Sequence, residues 1–433
     1  MSSINVPLYQ RLYEDIKEKI LMNEFKKNQK LESIRHLSAR LDISTTTVEK
    51  AYNQLVVEGY IKANPRSGYV VMDVHNLEKA KYHPFVDPIE HPVKDNTKLT
   101  MDLFDIKAYK STVNKIFNYD TAKLFTDLDP RGEEELREEI RKYILQERDV
   151  KCDVNQIIIG PGIQTLLTIL LSLTPKKTVT FLAPEFKKAM HVFRSFGYSL
   201  KPRTNTTEIA RLKADYLYIS PSNLYPTGEV LKAQERNKII TWAHRNNSYI
   251  IEDDYNFFIR YNSYTVPSIH SYDNGERVIY IGSFGRSLLP SIRVSYMVLP
   301  KELYNLYRDH YNDYAQGVGK LEQLALAQFM KEGLFRRHTK KLYNLYKEKN
   351  EIMKKALDKY NKHNNFKIRG TDSNLHVVLD FKTKKLTTAF LKNCERSHLE
   401  TQLIQGTNSV IFPYSGIENN DIPKLVRNLF YNM

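Results

Sequence analysis

A chain of 433 residues, 41% hydrophobic and 27% charged with a net charge of +15, is long enough for a large buried core and for more than one folding unit. No apolar run follows a positive cap at the N-terminus and no membrane-spanning stretch is visible, so neither a signal peptide nor a bilayer span is expected, and a cytoplasmic location is. Two cysteines, Cys152 and Cys394, are too few and too far apart for a disulfide framework or a paired-cysteine metal site, and no metal site is expected.

The positive excess invites a nucleic-acid partner, but its distribution weakens that inference. Residues 1–72 hold 11 Lys or Arg against 8 Asp or Glu, a net of +3, and most of the excess lies elsewhere.

Between Val6 and Phe25, Leu8, Leu12, Ile16 and Ile20 recur at spacings of four, which predicts one face of a helix. The run ESIRHLSARL predicts a second helix with Ile34, Leu37 and Leu41 on one stripe. After the short turn DIS, TTTVEKAYNQLVVEG predicts a third, with Val48, Ala51, Tyr52 and Leu55 facing inward and Ser44 placed to cap its first turn. Gly59 then ends the helix, and YIKANPRSGYVV reads as two short strands around an Asn-Pro-Arg-Ser-Gly turn.

This is the layout of a winged helix-turn-helix, in which the third helix enters the major groove. The stretch LESIRHLSARLDISTTTVEKAYNQLVVEGYIKANPRSGYVV resembles the DNA-binding domain of GntR-type bacterial regulators nearly end to end. The resemblance implies phosphate or base contacts from Ser33, Arg35, Thr46 and Thr47 at the helix starts, where Ser44 and Thr45 also stand, and a further contact from the wing at Arg66, Ser67 and Gly68. Short hydroxyl side chains suit phosphate oxygens there because the first backbone N–H groups of a helix point the same way. Two positions depart from the family. Glu32 replaces the usual proline, and Thr45 stands where many relatives have a guanine-reading arginine, so the operator is expected to differ from theirs.

Residues 73–99 contain several charges and no sustained period, and are expected to be a linker. From residue 100 onward, helical runs such as EEELREEIRKYILQER alternate with strand-like runs such as QIIIG, TVTFLA, DYLYIS, SYIIEDD and RVIYIGS. That alternation predicts an α/β domain with a doubly wound, mostly parallel sheet. Ligands bind such sheets at the C-terminal ends of the strands, and several motifs fall there.

QIIIGPGIQTLL, SPSNLYPTG, IIEDDYNFF and GSFGRSLLPSIR, in that order, resemble the fold-type-I aminotransferases. The whole chain resembles the MocR or GabR class of GntR regulators, in which a winged helix is fused to an aminotransferase-like domain. The resemblance implies domains at 1–72 and 100–433, with a smaller α+β subdomain over about 300–433. It also implies a pyridoxal phosphate pocket. Gly162, Ile163 and Gln164 form its phosphate-binding turn and helix start, Phe186 is the stacking ring, and Asp253 faces the pyridine nitrogen. Tyr255 lies near the phenolic oxygen, and Ser283 and Arg293 anchor the phosphate.

The family's cofactor lysine falls at Arg286, and no lysine occurs between Asp254 and Pro300. A Schiff base needs a neutral amine, and a guanidinium stays protonated at any working pH. The arginine that grips a ligand carboxylate in the family falls at Ser409, or in a less natural register at Arg427. A second family arginine is matched by Lys188, and Tyr225 stands before Pro-Thr-Gly where many aminotransferases have asparagine.

The expectation is therefore a transcriptional regulator that is not an enzyme. It would bind double-stranded DNA with paired half-sites as a homodimer, head-to-tail and domain-swapped by family analogy. Its body would serve dimerisation and hold no covalent cofactor, any pyridoxal phosphate being bound only non-covalently, and its pocket would either sense a small-molecule effector of unknown identity or be filled and silent. The competing readings are a regulator that binds pyridoxal phosphate or another phosphorylated anion without a covalent bond, and an active aminotransferase with an accessory DNA-binding domain.

Overall fold

The computed structural model describes residues 7–65, 67–74, 104–175, 177–182, 186–203, 209–261, 266–285, 287–289, 291–361, 363–373, 375–404 and 406–430. Residues 75–99 of the expected linker, Arg66 and Arg286 lie outside them. The chain divides into two compact units, Met1–Pro92 and Val93–Met433.

The first unit contains α1 (Leu8–Leu21), α2 (Ile34–Leu41), α3 (Thr45–Val57) and a hairpin of β1 (Ile61–Asn64) with β2 (Gly68–Val71). All four predicted inner residues of α3 are buried, and Ser44 caps that helix by accepting the Thr47 N–H at 3.1 Å. Leu8 and Leu41 depart from their predicted stripes, at 61% and 39% exposed. Each is the terminal residue of its helix and lies outside the core cluster, and Tyr13 takes an inward place on α1 instead. Glu58, which caps the end of α3, accepts from the Tyr13 hydroxyl at 2.6 Å and the Lys17 ammonium at 2.8 Å, tying α1 to α3. The Lys17 bond, followed by that of Tyr13, holds the Glu58 carboxyl down at about 2.

The second unit opens with α4 (Ile106–Tyr119), α5 (Glu134–Arg148), β3 (Ile157–Gly160) and α6 (Ile163–Ser172). It continues through β4 (Thr178–Leu182), α7 (Lys187–Ser195), β5 (Ser199–Arg203), β6 (Tyr216–Ile219), α8 (Ala233–Asn246), β7 (Tyr249–Asp253), α9 (Ile269–Asp273), β8 (Val278–Ser283) and β9 (Ser295–Val298). The seven strands run in the order β3-β9-β8-β7-β6-β4-β5. Every neighbouring pair from β8 to β5 is parallel, and β9 alone is antiparallel to both its partners. The predicted mostly parallel sheet is thus present.

These strands are apolar on both faces because helices cover both. Alternate residues point opposite ways: Phe181, Tyr218 and Ile251 pack with the core under α6 and α7, whereas Leu217, Ile219 and Ile250 pack with Ile239 and Trp242 of α8. Beyond β9 come α10 (Lys301–His310), α11 (Lys320–Lys331) and the long α12 (Leu334–Tyr360). They are followed by β10 (Phe366–Arg369), β11 (His376–Phe381), α13 (Lys384–Arg396), β12 (Gln402–Leu403), β13 (Ser409–Pro413) and α14 (Ile422–Phe430). The last four strands form an antiparallel sheet in the order β10-β11-β13-β12. Met353, Phe390, Val426 and Phe430 of the helices pack on it as a separate core.

One buried ion pair joins α5 to the end of β7. Arg148 and Asp254 are 1% and 0% exposed at their side chains, with Arg148 Nε 2.6 Å from Asp254 Oδ2. Tyr280 on β8 donates its hydroxyl to the same oxygen at 2.6 Å, and the Arg148 guanidinium also donates to Ser222 in the loop after β6. The Arg148 plane lies 5.1 Å from the Phe257 ring. Burial works against the Arg148 charge, but the Asp254 carboxylate outweighs it and holds the guanidinium above its usual range. Replacing one partner of such a pair leaves an uncompensated charge, which costs about 3–5 kcal/mol. Arg148→Met should therefore lower the thermal unfolding midpoint of the chain sharply, and Arg148→Met with Asp254→Asn should recover part of the loss, both read by calorimetry.

Candidate functional site

The winged unit presents its predicted DNA residues at two helix starts and a turn. Ser33 caps α2, accepting the His36 N–H at 3.3 Å, and Arg35 is exposed in the first turn. Thr45 and Thr46 are exposed at the start of α3, whereas Thr47 is half-buried and shares a 2.7 Å hydrogen bond with the Ser44 hydroxyl. The Tyr52 hydroxyl on α3 donates to the Glu32 carbonyl at 2.9 Å, which fixes the start of α2 against the middle of α3. Glu32 does not present an uncompensated negative charge. Arg40 pairs with it at 2.9 Å and His36 at 2.8 Å, and the Arg40 bond, then that of His36, holds its carboxyl below the usual range.

In the wing, Ser67 is exposed and donates its N–H to the Asn64 carbonyl at 3.0 Å. Gly68 has φ +91°, a conformation L side chains rarely adopt, so the turn requires glycine at this place. Arg66, the charged member of the predicted wing contact, is outside the described residues.

In the second unit the predicted pocket residues fall into groups at the C-terminal edge of the parallel strands. Asp253 ends β7 at 3% exposed and accepts the Tyr218 hydroxyl at 2.6 Å from the adjacent strand β6. Phe186 is the residue before α7, with its ring 4.9 Å from that of Tyr218 and 6.1 Å from that of Tyr255. The Tyr255 hydroxyl reaches the Asn223 carbonyl at 3.4 Å. Tyr218 and Asn223 were not singled out by the sequence pattern. The signal for Tyr218 was its place on the strand beside β7, and for Asn223 its place in SPSNLYPTG. Asn223 is 2% exposed, and neither atom of its side-chain amide has a hydrogen-bond partner among the described residues.

Gly162 precedes α6, whose first turn has no side-chain cap, and Gln164 is exposed there while Ile163 packs against the core. Arg293 crosses to this turn: its Nε donates to the Pro161 carbonyl at 3.4 Å, and a Cβ on Gly162 would lie 3.4 Å from its Nη2. Uncapped helix amides beside an exposed guanidinium suit a phosphate or carboxylate. Ser283 ends β8 with its hydroxyl accepting from Ser295 at 3.0 Å and from the Gly285 N–H at 3.3 Å. Arg286, two residues beyond Phe284 in the same loop, lies outside the described residues.

The positions considered for a ligand carboxylate are distributed otherwise. Ser409 is buried at the start of β13, opposite Asp380 in register, and Arg427 is exposed on α14. Lys188 is exposed in the first turn of α7, and the Tyr225 hydroxyl donates to the Gln402 side chain at 3.3 Å. Cys152 and Cys394 are free, and burial pushes both thiols up to about 12. Among the described residues no group of three His, Cys, Asp or Glu is arranged to hold a metal, and no helix is long and apolar enough to cross a membrane.

Residues 8–71 match the family model of bacterial regulatory proteins of the gntR family, and residues 102–416 match that of aminotransferase class I and II. The uncharacterized HTH-type transcriptional regulator YdeL of Bacillus subtilis is 33% identical over 99% of this chain and 97% of its own length. The probable rhizopine catabolism regulatory protein MocR of Rhizobium meliloti is 25% identical over 80% of this chain and 76% of its own. An archaeal alanine:glyoxylate aminotransferase superposes with a TM-score of 0.66 at 18% identity, covering 76% of this chain and 87% of that one, a likeness of fold. A capped recognition helix and glycine wing on one unit, and on the other a mostly parallel sheet of aminotransferase type, together place this chain in the gntR family as a transcriptional regulator of the MocR type.

Proposed function

We propose that this regulator uses its aminotransferase-like body for dimerisation and effector sensing, without catalysis. The observation that carries the reading is that no lysine occurs between Asp254 and Pro300, a stretch that includes the loop GSFGRSLLPSIR, where the resemblance puts the family lysine at Arg286. Pyridoxal phosphate supplies an electron sink for amino-acid chemistry only when a substrate amine can exchange onto it. A guanidinium cannot provide the resident amine for that exchange.

The proposed domains are a DNA-binding domain at 1–72, a linker at 73–99 and a body at 100–433 whose residues from about 300 form the smaller subdomain. Duplex DNA is bound through Ser33, Arg35, Ser44, Thr45, Thr46, Thr47 and the wing at Arg66, Ser67 and Gly68. Two copies of the winged unit would read paired half-sites, and the body would bring them together, by family analogy head-to-tail and domain-swapped.

A second reading, that the body binds pyridoxal phosphate or another phosphorylated anion non-covalently, is favoured by three features of the pocket. The α6 amides and Arg293 fit a phosphate, with Ser283 as a further candidate anchor. By the family resemblance Asp253 would keep a ring nitrogen protonated and Phe186 would stack on the ring, and Tyr218 touches both, donating its hydroxyl to the Asp253 carboxylate at 2.6 Å and making a ring contact with Phe186 at 4.9 Å. The buried Asn223 amide, a donor and an acceptor without partners among the described residues, offers a polar contact to a ring substituent, since an unsatisfied buried amide is costly.

Arg35→Ala should weaken binding to a promoter fragment that the wild-type protein binds by tenfold or so, about the worth of one phosphate or base contact, read by fluorescence anisotropy. Unchanged affinity would remove Arg35 from the interface. Light scattering at micromolar concentration should return twice the chain mass, and a monomer that binds an inverted repeat at full affinity would defeat the dimer. With pyridoxal phosphate added, the wild-type protein should show no aldimine band beyond the absorption of the free cofactor, and borohydride should fix no adduct at the 282–293 loop. Arg286→Lys should gain both signals. A borohydride-fixed lysine adduct in the wild-type pocket, or transamination of any amino acid, would overturn the inactive reading.

A further inference from the structure

The net charge of the chain is not spread along it. Residues 334–433 hold 19 Lys or Arg against 9 Asp or Glu, a net of ten out of the fifteen, while residues 73–333 hold 35 against 33 and are nearly balanced. A compositional bias of the whole chain would raise the charge everywhere. The excess is local, so it belongs to a surface.

The densest part is the first half of α12. Between Gly333 and Lys347 there are five basic residues, Arg336, Arg337, Lys340, Lys341 and Lys347, and no acidic one. Phe335, His338, Leu342 and Tyr346 are the buried side of this segment. At helical spacing the bases fall on the opposite side: Arg336, Arg337, Lys340 and Lys341 are exposed and Lys347 half-exposed. Arg336 pairs with Glu147 at 3.0 Å, and the other four form no ion pair among the described residues.

The arrangement works against the helix that bears it. Arg336 with Lys340 and Arg337 with Lys341 are like charges one turn apart, which repel. The first turn has no acidic residue, so Arg336 and Arg337 add to the positive end of the peptide dipoles. A face whose charges oppose its own helix is relieved by an anionic partner. The stripe from Arg336 to Lys347 is about 17 Å long at 1.5 Å per residue, enough to follow several phosphates of a duplex.

We propose that the outer face of α12 is a second contact surface for the phosphate backbone of double-stranded DNA, separate from the winged helix. It is sequence-independent, because lysine and arginine side chains on phosphates carry no base information. The proposal rests on the chain being a DNA-binding regulator, and a winged-helix variant keeps the two ideas distinguishable.

The test uses the full chain and a long mixed-sequence duplex, with affinity measured across a range of salt. Arg337→Gln, Lys340→Gln and Lys341→Gln together should weaken binding about tenfold or more at low salt and make the slope of log affinity against log salt shallower by about two to three, near 0.9 for each phosphate no longer neutralised. Their thermal midpoint should be unchanged or raised, because the repulsion within α12 is relieved. Arg337→Lys, Lys340→Arg and Lys341→Arg together should keep the wild-type slope. Adding the three glutamine substitutions to Arg35→Ala should lower affinity further than Arg35→Ala alone. Wild-type affinity and slope in the glutamine variant would overturn the proposal, as would loss of binding in the charge-preserving variant. So would a glutamine variant that releases phosphatidylserine vesicles while holding DNA unchanged. If Arg35→Ala alone left duplex binding intact while the α12 variant lost it, the winged-helix placement would fall and the α12 surface would stand.

Discussion

Adjacent carboxylates at the end of one buried strand set the terms for the rest of the second unit. Asp253 and Asp254 follow each other at the edge of β7 and are nearly inaccessible, so each needs its own compensation in a medium that penalises charge. Neighbouring residues at a strand end point to opposite sides, and the protein uses that. Asp254 turns towards Arg148 and Tyr280 and becomes part of the frame, whereas Asp253 turns towards Tyr218, whose ring lies against Phe186, and remains with the candidate pocket. The Arg148 guanidinium also reaches Ser222, in the same loop that carries Asn223. The frame and the pocket are therefore held by one network, and the loop after β6 is positioned by an arginine at the end of α5.

That dependence bears on the proposed loss of catalysis. A pocket freed from chemistry can lose the reacting group while its frame stays under selection for folding, because removing Arg148 or Asp254 leaves a buried charge and removing the amine does not. The proposed anion end is equally inexpensive to retain. It consists of backbone N–H groups at an uncapped helix and one exposed arginine. On the proposed reading the protein keeps what its fold requires together with a surface that can still take a small anion.

In the winged unit the same concern with compensated charge appears at Glu32. An acidic residue beside a DNA backbone would ordinarily repel it, but Arg40 and His36 close around this carboxylate, and the helix start is left with the exposed Arg35. The departure from the family's proline is thus absorbed within α2. Among the described residues the outer bases of α12 form no ion pair other than that of Arg336 with Glu147.

The sequence by itself determined the order of elements, the winged helix and the parallel sheet, because these follow from local signals. Ser44 caps α3 through its own chain neighbour Thr47, Val48 to Leu55 keep helical spacing, and runs such as YIIED are buried on both faces wherever they sit in such a sheet. It also fixed the absence of lysine between Asp254 and Pro300, which is a matter of residue identity. Exposure of Leu8 and Leu41 was not legible, since periodicity shows which face turns inward and not where the neighbouring helix ends. Nor was the antiparallel β9, the four-stranded C-terminal sheet, or the partnership of Arg148 with Asp254, 106 residues apart. Only the tertiary structure decided which carboxylate faces an arginine and which faces the pocket, because that choice depends on side chains brought together from distant strands and helices, and no local pattern encodes their meeting.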